Sequence, residues 1–481
     1  MGVPSLLNWT VAIPEIVLAL AGSIILVVGV FLRRGKRFFP VVILSIAALL
    51  LTAFLVFLAP SGVGYSETFV NDAFARFMKL LIIIGGGAAI ILSVSYRGDE
   101  QKPLPFEVPV LMLFSILGAM LMVSSINLMA LFVGLELSSL AIYILCAAGR
   151  ENVLSSEAGL KYFILGSLAS GLLLYGISLV YGYTGTMEYH GLVNAVRSVD
   201  ALPMGLVVGI VFILVGLCFK LSIVPFHMWT PDVYQGSLTP VTAYMSVAPK
   251  FAAFALLLRV MLESFGGIAP RWALLLEVVS MLSMLYGALA AIPQSNIKRL
   301  MAYSSIGHMG YAMMGLVADS VVGVQATLIY LAAYLFMNSG AFACISAMRR
   351  KGYEVFGIED LAGLSKTDPG MAAALAIFMF SMAGVPPLAG FFGKFVVFAA
   401  AWQSGFYTLV AVGVISSVIG AYYYLRIVKV MYFDAPVQAF DRPAPSLMFV
   451  SGSMSVATVL FVVFLGPLMT VAQQAAVALA G

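Results

Sequence analysis

The sequence predicts an all-α, polytopic membrane protein of about 14 transmembrane helices. Three observations carry that expectation. Of its 481 residues, 62% are hydrophobic and only 10% are charged, whereas a soluble domain carries about 25% charged residues. Apolar runs of ~20 residues, the length that crosses a hydrocarbon core, recur along the whole chain. Lysine and arginine also collect in alternate loops, as they do in multi-pass membrane proteins.

The spans are expected near 12–32, 38–59, 74–95, 105–124, 127–148, 157–183, 203–224, 239–262, 271–292, 299–318, 322–348, 370–402, 405–432 and 446–478. Helices 7 and 12 are expected to be discontinuous. Pro225 and Pro231 break the chain after the seventh span, and Val385-Pro386-Pro387 divides the long twelfth into two half-helices. A proline removes a backbone donor and clashes with the preceding turn, so each such point interrupts a helix. Broken helices at membrane depth are tolerated where the freed backbone lines a cavity or is buried in protein. The N-terminus shows no basic leader or cleavage site, so the first helix is expected to be retained.

Counting basic residues sets the orientation. With the N-terminus outside, the cytoplasmic loops and helix ends hold Arg33, Arg34, Lys36, Arg37, Arg97, Lys102, Arg150, Lys161, Lys298, Arg299, Arg349, Arg350, Lys351, Lys366, Arg426, Lys429 and Arg442. The outer side holds only Arg76, Lys79, Arg197, Arg259 and Arg271. That bias places both termini outside and requires an even number of spans. It also explains the net charge of +4 without nucleic acid as a partner.

Lys220, Lys250 and Lys394 fit neither side. All three fall inside apolar spans close to a proline, and a lysine there must be paired, hydrated or neutralised. Glu136 sits near the middle of the fifth span. Glu157 and Lys161 are spaced i, i+4 at the start of the sixth, where they make either a functional pair or an end-of-helix salt bridge. His308 follows Ser304 and Ser305 as a polar stripe in an apolar helix, either a relay or a structurally hydrogen-bonded imidazole. His227, between Pro225 and Pro231, is a loop residue or a relay, and His190 reads as loop. Glu15 and Glu277 lie near helix starts, where the helix dipole favours anions, and read as structural.

These residue types point to proton movement. Desolvation lowers the pKa of an amine and a nearby carboxylate raises it again, so a buried Glu–Lys pair is a switch. At ~4 Å and an effective dielectric of ~20, Glu136 and Lys220 would interact by about 4 kcal/mol. Lys220, Lys250 and Lys394 are expected to form one chain along the membrane midplane, with Lys250 as the intermediate. Redox and hydrolytic classes find no support. Cys146, Cys218 and Cys344 each stand alone in apolar runs, without the spacing of zinc or iron–sulfur ligands. Gly85-Gly86-Gly87 falls inside an apolar helix rather than in a phosphate-cradling loop.

Two motifs add a resemblance. Lys220-Leu-Ser-Ile-Val-Pro-Phe-His-Met-Trp-Thr-Pro-Asp resembles the signature of the antiporter-like membrane subunits of respiratory complex I, and Ile297-Lys-Arg-Leu-Met-Ala-Tyr-Ser-Ser-Ile-Gly-His-Met-Gly-Tyr is similar to the motif of their tenth helix. Gly390-Phe-Phe-Gly-Lys-Phe395 carries lysine where the M-type subunit is expected to carry glutamate.

The resemblance covers nearly the whole chain and implies two inverted five-helix repeats. The expected divisions are 1–104, an N-terminal three-helix segment; 105–265, a first repeat of helices 4–8; 266–433, a second repeat of helices 9–13; and 434–481, a C-terminal helix. It implies proton translocation through Glu136, Lys220, Lys250 and Lys394; from their own positions, His308 is expected as a relay and Glu157, Lys161 and His227 in support. No cofactor is expected in this chain; NADH, FMN, iron–sulfur clusters and quinone are expected in partner subunits. The implied partners are neighbouring M-type and small K-type membrane subunits and lipid, in a bacterial inner membrane. Subunits of multisubunit Na⁺/H⁺ antiporters or membrane-bound hydrogenases share the motifs and form the alternative. A passive structural subunit is the rival from another class; its charges should come paired.

Overall fold

A computed structural model describes residues 8–33, 37–96, 104–197 and 202–480. Arg34, Lys36, Arg97 and Lys102 of the charge count lie outside the described residues. The described residues are helical almost throughout, and among them 11 helical segments are long and apolar enough to cross a membrane.

The first half runs α1 (Ile13–Phe31), α2 (Phe38–Leu58), α3 (Ala73–Val94), α4 (Glu107–Val123), α5 (Leu128–Cys146), α6 (Val153–Thr184), α7 (Tyr189–Arg197), α8 (Met204–Leu221), α9 (Thr230–Gly236), α10 (Thr239–Met245) and α11 (Ala248–Arg259). The second half runs α12 (Ala269–Ala291), α13 (Ile297–Val317), α14 (Val321–Ala347), α15 (Leu364–Thr367), α16 (Pro369–Ala383), α17 (Ala389–Gln403), α18 (Tyr407–Phe433) and α19 (Pro445–Ala480). Two antiparallel hairpins punctuate the loops, β1 (Gly62–Gly64) with β2 (Phe69–Asn71) and β3 (Arg349–Arg350) with β4 (Tyr353–Glu354).

Local chemistry sets the helix starts. Asp72, Asn127, Asn152, Asn296, Ser320 and Asp368 each accept a backbone N–H of the first turn of α3, α5, α6, α13, α14 and α16, satisfying donors that the helix cannot. Burial then sorts the helices into an interior and a rim. The most apolar window of α14 is 94% buried, whereas that of α19 is 17% buried, so α19 presents most of its surface outward.

The structure breaks helices where proline was expected to, after α8 and between α16 and α17. It also breaks one more. The expected eighth span, 239–262, divides at Ser246–Val247, and Val247 leaves helical geometry at φ −123°, ψ −77°. Pro249 supplies the reason: it stands at the start of α11, and proline cannot donate to the preceding turn. His190, read as loop, lies on α7. That short helix buries Tyr189, Leu192 and Val196 on one face, an i, i+3, i+7 stripe that marks it as amphipathic.

The accounting of buried cations also needs correction. Lys79, Arg259 and Lys298, assigned from the sequence to helix ends at the two membrane surfaces, are 0%, 1% and 1% exposed. Lys79 and Glu15 are in ion contact at 2.7 Å between α3 and α1. Arg259 meets Asp72 at 2.9 Å and Glu263 at 2.6 Å, and donates to the Val123 carbonyl. Lys298 donates to the Ser237 carbonyl. Glu263 is a local i, i+4 partner of Arg259; the other partners, Glu15, Asp72 and backbone carbonyls, are distant in sequence and are not revealed by local reading. A lone charge left at such a depth would cost about 3–5 kcal/mol, so Lys79–Glu15 ties α1 to α3 and Arg259–Asp72 ties the start of α3 to α11.

Candidate functional site

The candidate site is a series of polar groups strung through the interior, in which the three lysines each stand beside a helix break. Lys220 lies in the last turn of α8, where Ser222 turns into the left-handed region at φ 63°. Its ammonium donates to Ser139 Oγ at 2.7 Å and to Tyr143 OH at 3.1 Å, with the Tyr143 and Tyr162 rings 5.2 and 5.8 Å away. Glu136, Ser139 and Tyr143 are spaced i, i+3, i+7 and so share one face of α5. Glu136 itself is half-buried and accepts a hydrogen bond from Ser170 of α6. Glu136 and Lys220 are therefore not in ion contact in this conformation; one turn of α5 and a hydroxyl separate their partners. Gly166 makes the arrangement possible. A Cβ there would lie 2.2 Å from the Tyr143 hydroxyl, so any side chain would displace Tyr143 from Lys220.

Lys250 is 1% exposed and sits in the first turn of α11, just past the break at Val247. Its ammonium donates to Ser305 Oγ of α13 at 2.7 Å, and Tyr334 OH donates to the same oxygen at 2.9 Å. The Tyr234 ring lies 5.4 Å away. One turn further along α13, His308 is hydrogen-bonded through Nδ1 to Tyr330 OH at 2.6 Å and through Nε2 to Tyr424 OH at 3.1 Å. Tyr424 OH is hydrogen-bonded in turn to Ser304.

Lys394 belongs to α17 and faces the C-terminal end of α16 across the break. It donates to the carbonyls of Met382 and Ala383 at 3.0 and 3.2 Å and to Ser417 Oγ at 2.8 Å. These carbonyls carry the negative end of the α16 dipole, which takes the place of an acid. Gly384, at φ +93°, closes α16, and a Cβ there would lie 3.6 Å from the Lys394 ammonium, an ordinary contact; the positive φ is what would strain a side chain. A cavity of about 10 Å³ bordered by Ser304, His308, Tyr311, Ser416, Tyr424 and Lys394 joins this end to the α13 stripe. It has room for about one water.

The supporting residues separate from this line. Lys161 pairs with Glu157 at 2.6 Å and with Asp232 at 2.8 Å, and Asp232 also holds Arg299 at 2.6 Å. The members of this network are about a third to a half exposed, at the end of the molecule that carries α9. Burial works to raise the Asp232 carboxyl, but hydrogen bonds from Lys161 and Arg299 outweigh it and hold the group below its ordinary value. His227 lies in the α8–α9 turn with its ring 4.5 Å from Tyr286 and a buried Nδ1 that has no hydrogen-bond partner among the described residues.

Sequence reading missed Ser139, Tyr143, Tyr330, Tyr424, Ser417 and Asp232. The first two carry a signal, their helical spacing from Glu136. Tyr330 and Tyr424 do not, because they reach His308 from 22 and 116 residues away. Among the described residues no three His, Cys, Asp or Glu side chains gather as a metal site.

Comparison with known proteins agrees with this architecture. Residues 125–420 match the family described as NADH:quinone oxidoreductase/Mrp antiporter, TM. The protein named NADH-quinone oxidoreductase subunit N from Gluconacetobacter diazotrophicus is 65% identical over 98% of this chain and 100% of its own length. Its namesake from Granulibacter bethesdensis is 53% identical over 98% of this chain and 100% of its own length. A chain of respiratory complex I from Thermus thermophilus superposes with TM-score 0.79 at 31% identity, over 94% of this chain and 99% of that one. A chain of the Mrp complex from Dietzia sp. superposes with TM-score 0.82 at 24% identity, over 98% and 96% of the two chains, which speaks for the fold alone. From the matched span and the full-length relatives, the chain belongs to the NADH:quinone oxidoreductase/Mrp antiporter family of membrane proteins.

Proposed function

We propose that this chain is a proton-translocating membrane subunit of NADH:quinone oxidoreductase, corresponding to subunit N. The observation that carries the reading is the buried line Lys250–Ser305, His308–Tyr424 and Lys394, three titratable groups in one interior with hydroxyls between them. Lys250 and Lys394 are held by hydroxyls and carbonyls with no acid in contact among the described residues, which supports a role beyond packing, since structural charges at this depth are expected in pairs, as Lys79 with Glu15 is. Glu136, Lys220, Lys250 and Lys394 carry protons in this reading, His308 relays them, and Glu157, Lys161 and His227 support entry from the α9 end. The 65% identity to a full-length subunit N favours this assignment over a Na⁺/H⁺ antiporter or hydrogenase subunit.

The chain holds no redox cofactor in this reading. NADH, FMN, iron–sulfur clusters and quinone belong to partner subunits, and the adjoining chains are M-type and small K-type membrane subunits. Counting α8 with α9, α10 with α11, and α16 with α17 as single interrupted spans gives 14 crossings: α1 to α6, these three, α12 to α14, α18 and α19. Inverted repeats over 105–265 and 266–433, flanked by 1–104 and 434–481, accord with a break in each half: Lys220 stands before its break and Lys394 after. The positive bias supports an orientation with both termini outside the inner membrane. A cysteine substituted for Arg350 is then labelled by a membrane-impermeant reagent only from the cytoplasmic side, and one substituted for Gly64 only from outside; the reverse pattern would overturn the orientation. The function is tested by the chains that co-purify. Flavin and iron–sulfur subunits with NADH oxidation are expected, and antiporter subunits alone would refute it.

A further inference from the structure

A groove between the ends of α14, α16 and α19 is used by none of the proton-carrying groups. Its volume is about 360 Å³, the size of a small-ligand site. Ala343, Ala347, Met371, Leu447 and Met448 make its walls apolar, while Arg442 and Asp368 mark one end. Met448 is exposed on the same outward surface of α19 as Phe449, Val456 and Val459, so the groove opens toward the bilayer. From Leu447 to Gly452 it follows the first turns of α19, about 8 Å at 1.5 Å per residue. That is the depth from head-group level into the hydrocarbon.

At the mouth each carboxylate is engaged by backbone N–H groups or by an arginine, whereas Arg442 is not engaged among the described residues. Asp368 accepts the Met371 N–H as the N-cap of α16, and Asp441 accepts the backbone N–H groups of Lys351 and Gly352. Asp360 pairs with Arg350. Arg442 has no hydrogen bond or ion pair among the described residues, and it follows Asp441, whose N–H bonds the Arg349 carbonyl of the basic β3–β4 hairpin.

We propose that this groove binds one anionic phospholipid, with its phosphate on Arg442 and the start of an acyl chain between α14, α16 and α19. A guanidinium holds phosphate oxygens in a bidentate geometry, and basic pockets between helices near the membrane surface take anionic head groups. An apolar slot below an unpaired arginine matches a glycerophospholipid in both parts; free phosphate would leave the slot empty. The position ties the site to the proton line, because Met371 belongs to the half-helix α16, whose last carbonyls hold Lys394.

The test uses the protein within the assembly it purifies with. A photo-crosslinking residue replaces Met448, and the sample is reconstituted into vesicles of equal phosphatidylglycerol and phosphatidylcholine. Phosphatidylglycerol is expected to be labelled in excess. Arg442→Gln should lower that excess about fivefold, the contribution of one basic residue near an anionic surface, and Arg442→Lys should retain most of it. Crosslinking to a polypeptide would show that a partner subunit fills the groove. Equal labelling of both lipids, or an excess unchanged in Arg442→Gln, would show that the arginine selects no head group. Either result overturns the proposal.

Discussion

Replacing Glu136 by glutamine is expected to leave assembly intact and to reduce proton pumping and coupled NADH:quinone activity by roughly tenfold or more. Positioned proton carriers contribute on the order of 10²–10⁴-fold in comparable chemistry. Glutamine keeps the length of the side chain and can still accept from Ser170, so packing between α5 and α6 survives. What is lost is the negative charge on the α5 face that also presents Ser139 and Tyr143 to Lys220. In this conformation Glu136 and Lys220 are apart, each on its own hydroxyl, which is the open state of the proposed switch. Closing it requires Glu136 to leave Ser170 and Lys220 to leave Ser139. Glu136→Asp keeps the charge but shortens its reach by one methylene, so an intermediate loss is expected. Pumping measured by pH-indicator quenching in vesicles decides between readings. Normal pumping by an assembled Glu136→Gln protein would reduce the residue to a structural hydrogen bond.

The sequence reveals this site unevenly, for physical reasons. Hydropathy and proline show the spans and the α8 and α16–α17 breaks, because both act through the chain immediately around them. The same locality hides the break at Val247, whose flanks are as apolar as any span, although Pro249 pointed to it. Charge counting singles out Lys220, Lys250 and Lys394 because each stands amid apolar sequence near a proline. It passes over Lys79 and Arg259, which lie within a few residues of a helix end and look like surface charges until Glu15 and Asp72 close on them. The hydroxyls that hold the ammonium groups are less legible still. Serine and tyrosine are ordinary in an apolar helix, and only packing of α13 against α14 and α18 brings Tyr330 and Tyr424 to His308.

Lys250→Met is expected to interrupt proton transfer altogether, lowering coupled pumping on the order of 10²-fold. Methionine fills nearly the same volume, so the buried site should pack and the protein should assemble. The neighbours explain why nothing substitutes for the amine. Ser305 is its hydrogen-bond acceptor, shared with Tyr334, and a hydroxyl alone does not hold a proton at neutral pH. Beyond it the line to Lys394 continues through His308, Tyr424 and the one-water cavity. On the other side, toward Lys220, the interior is less polar. Tyr162 stacks on Trp229 at 4.2 Å, and Cys146 Sγ lies 3.1 Å from Met245 Sδ. The Lys220-to-Lys250 step therefore needs a rearrangement that admits water, while the Lys250-to-Lys394 step has most of its hydroxyls in place. Lys250→Arg separates charge from proton exchange. Arginine stays protonated at any physiological pH, so it preserves a structural cation and cannot release a proton. A relay predicts that Lys250→Arg fails as Lys250→Met does; a structural cation predicts rescue by arginine. Restored pumping in an assembled Lys250→Arg protein would remove Lys250 from the proton path.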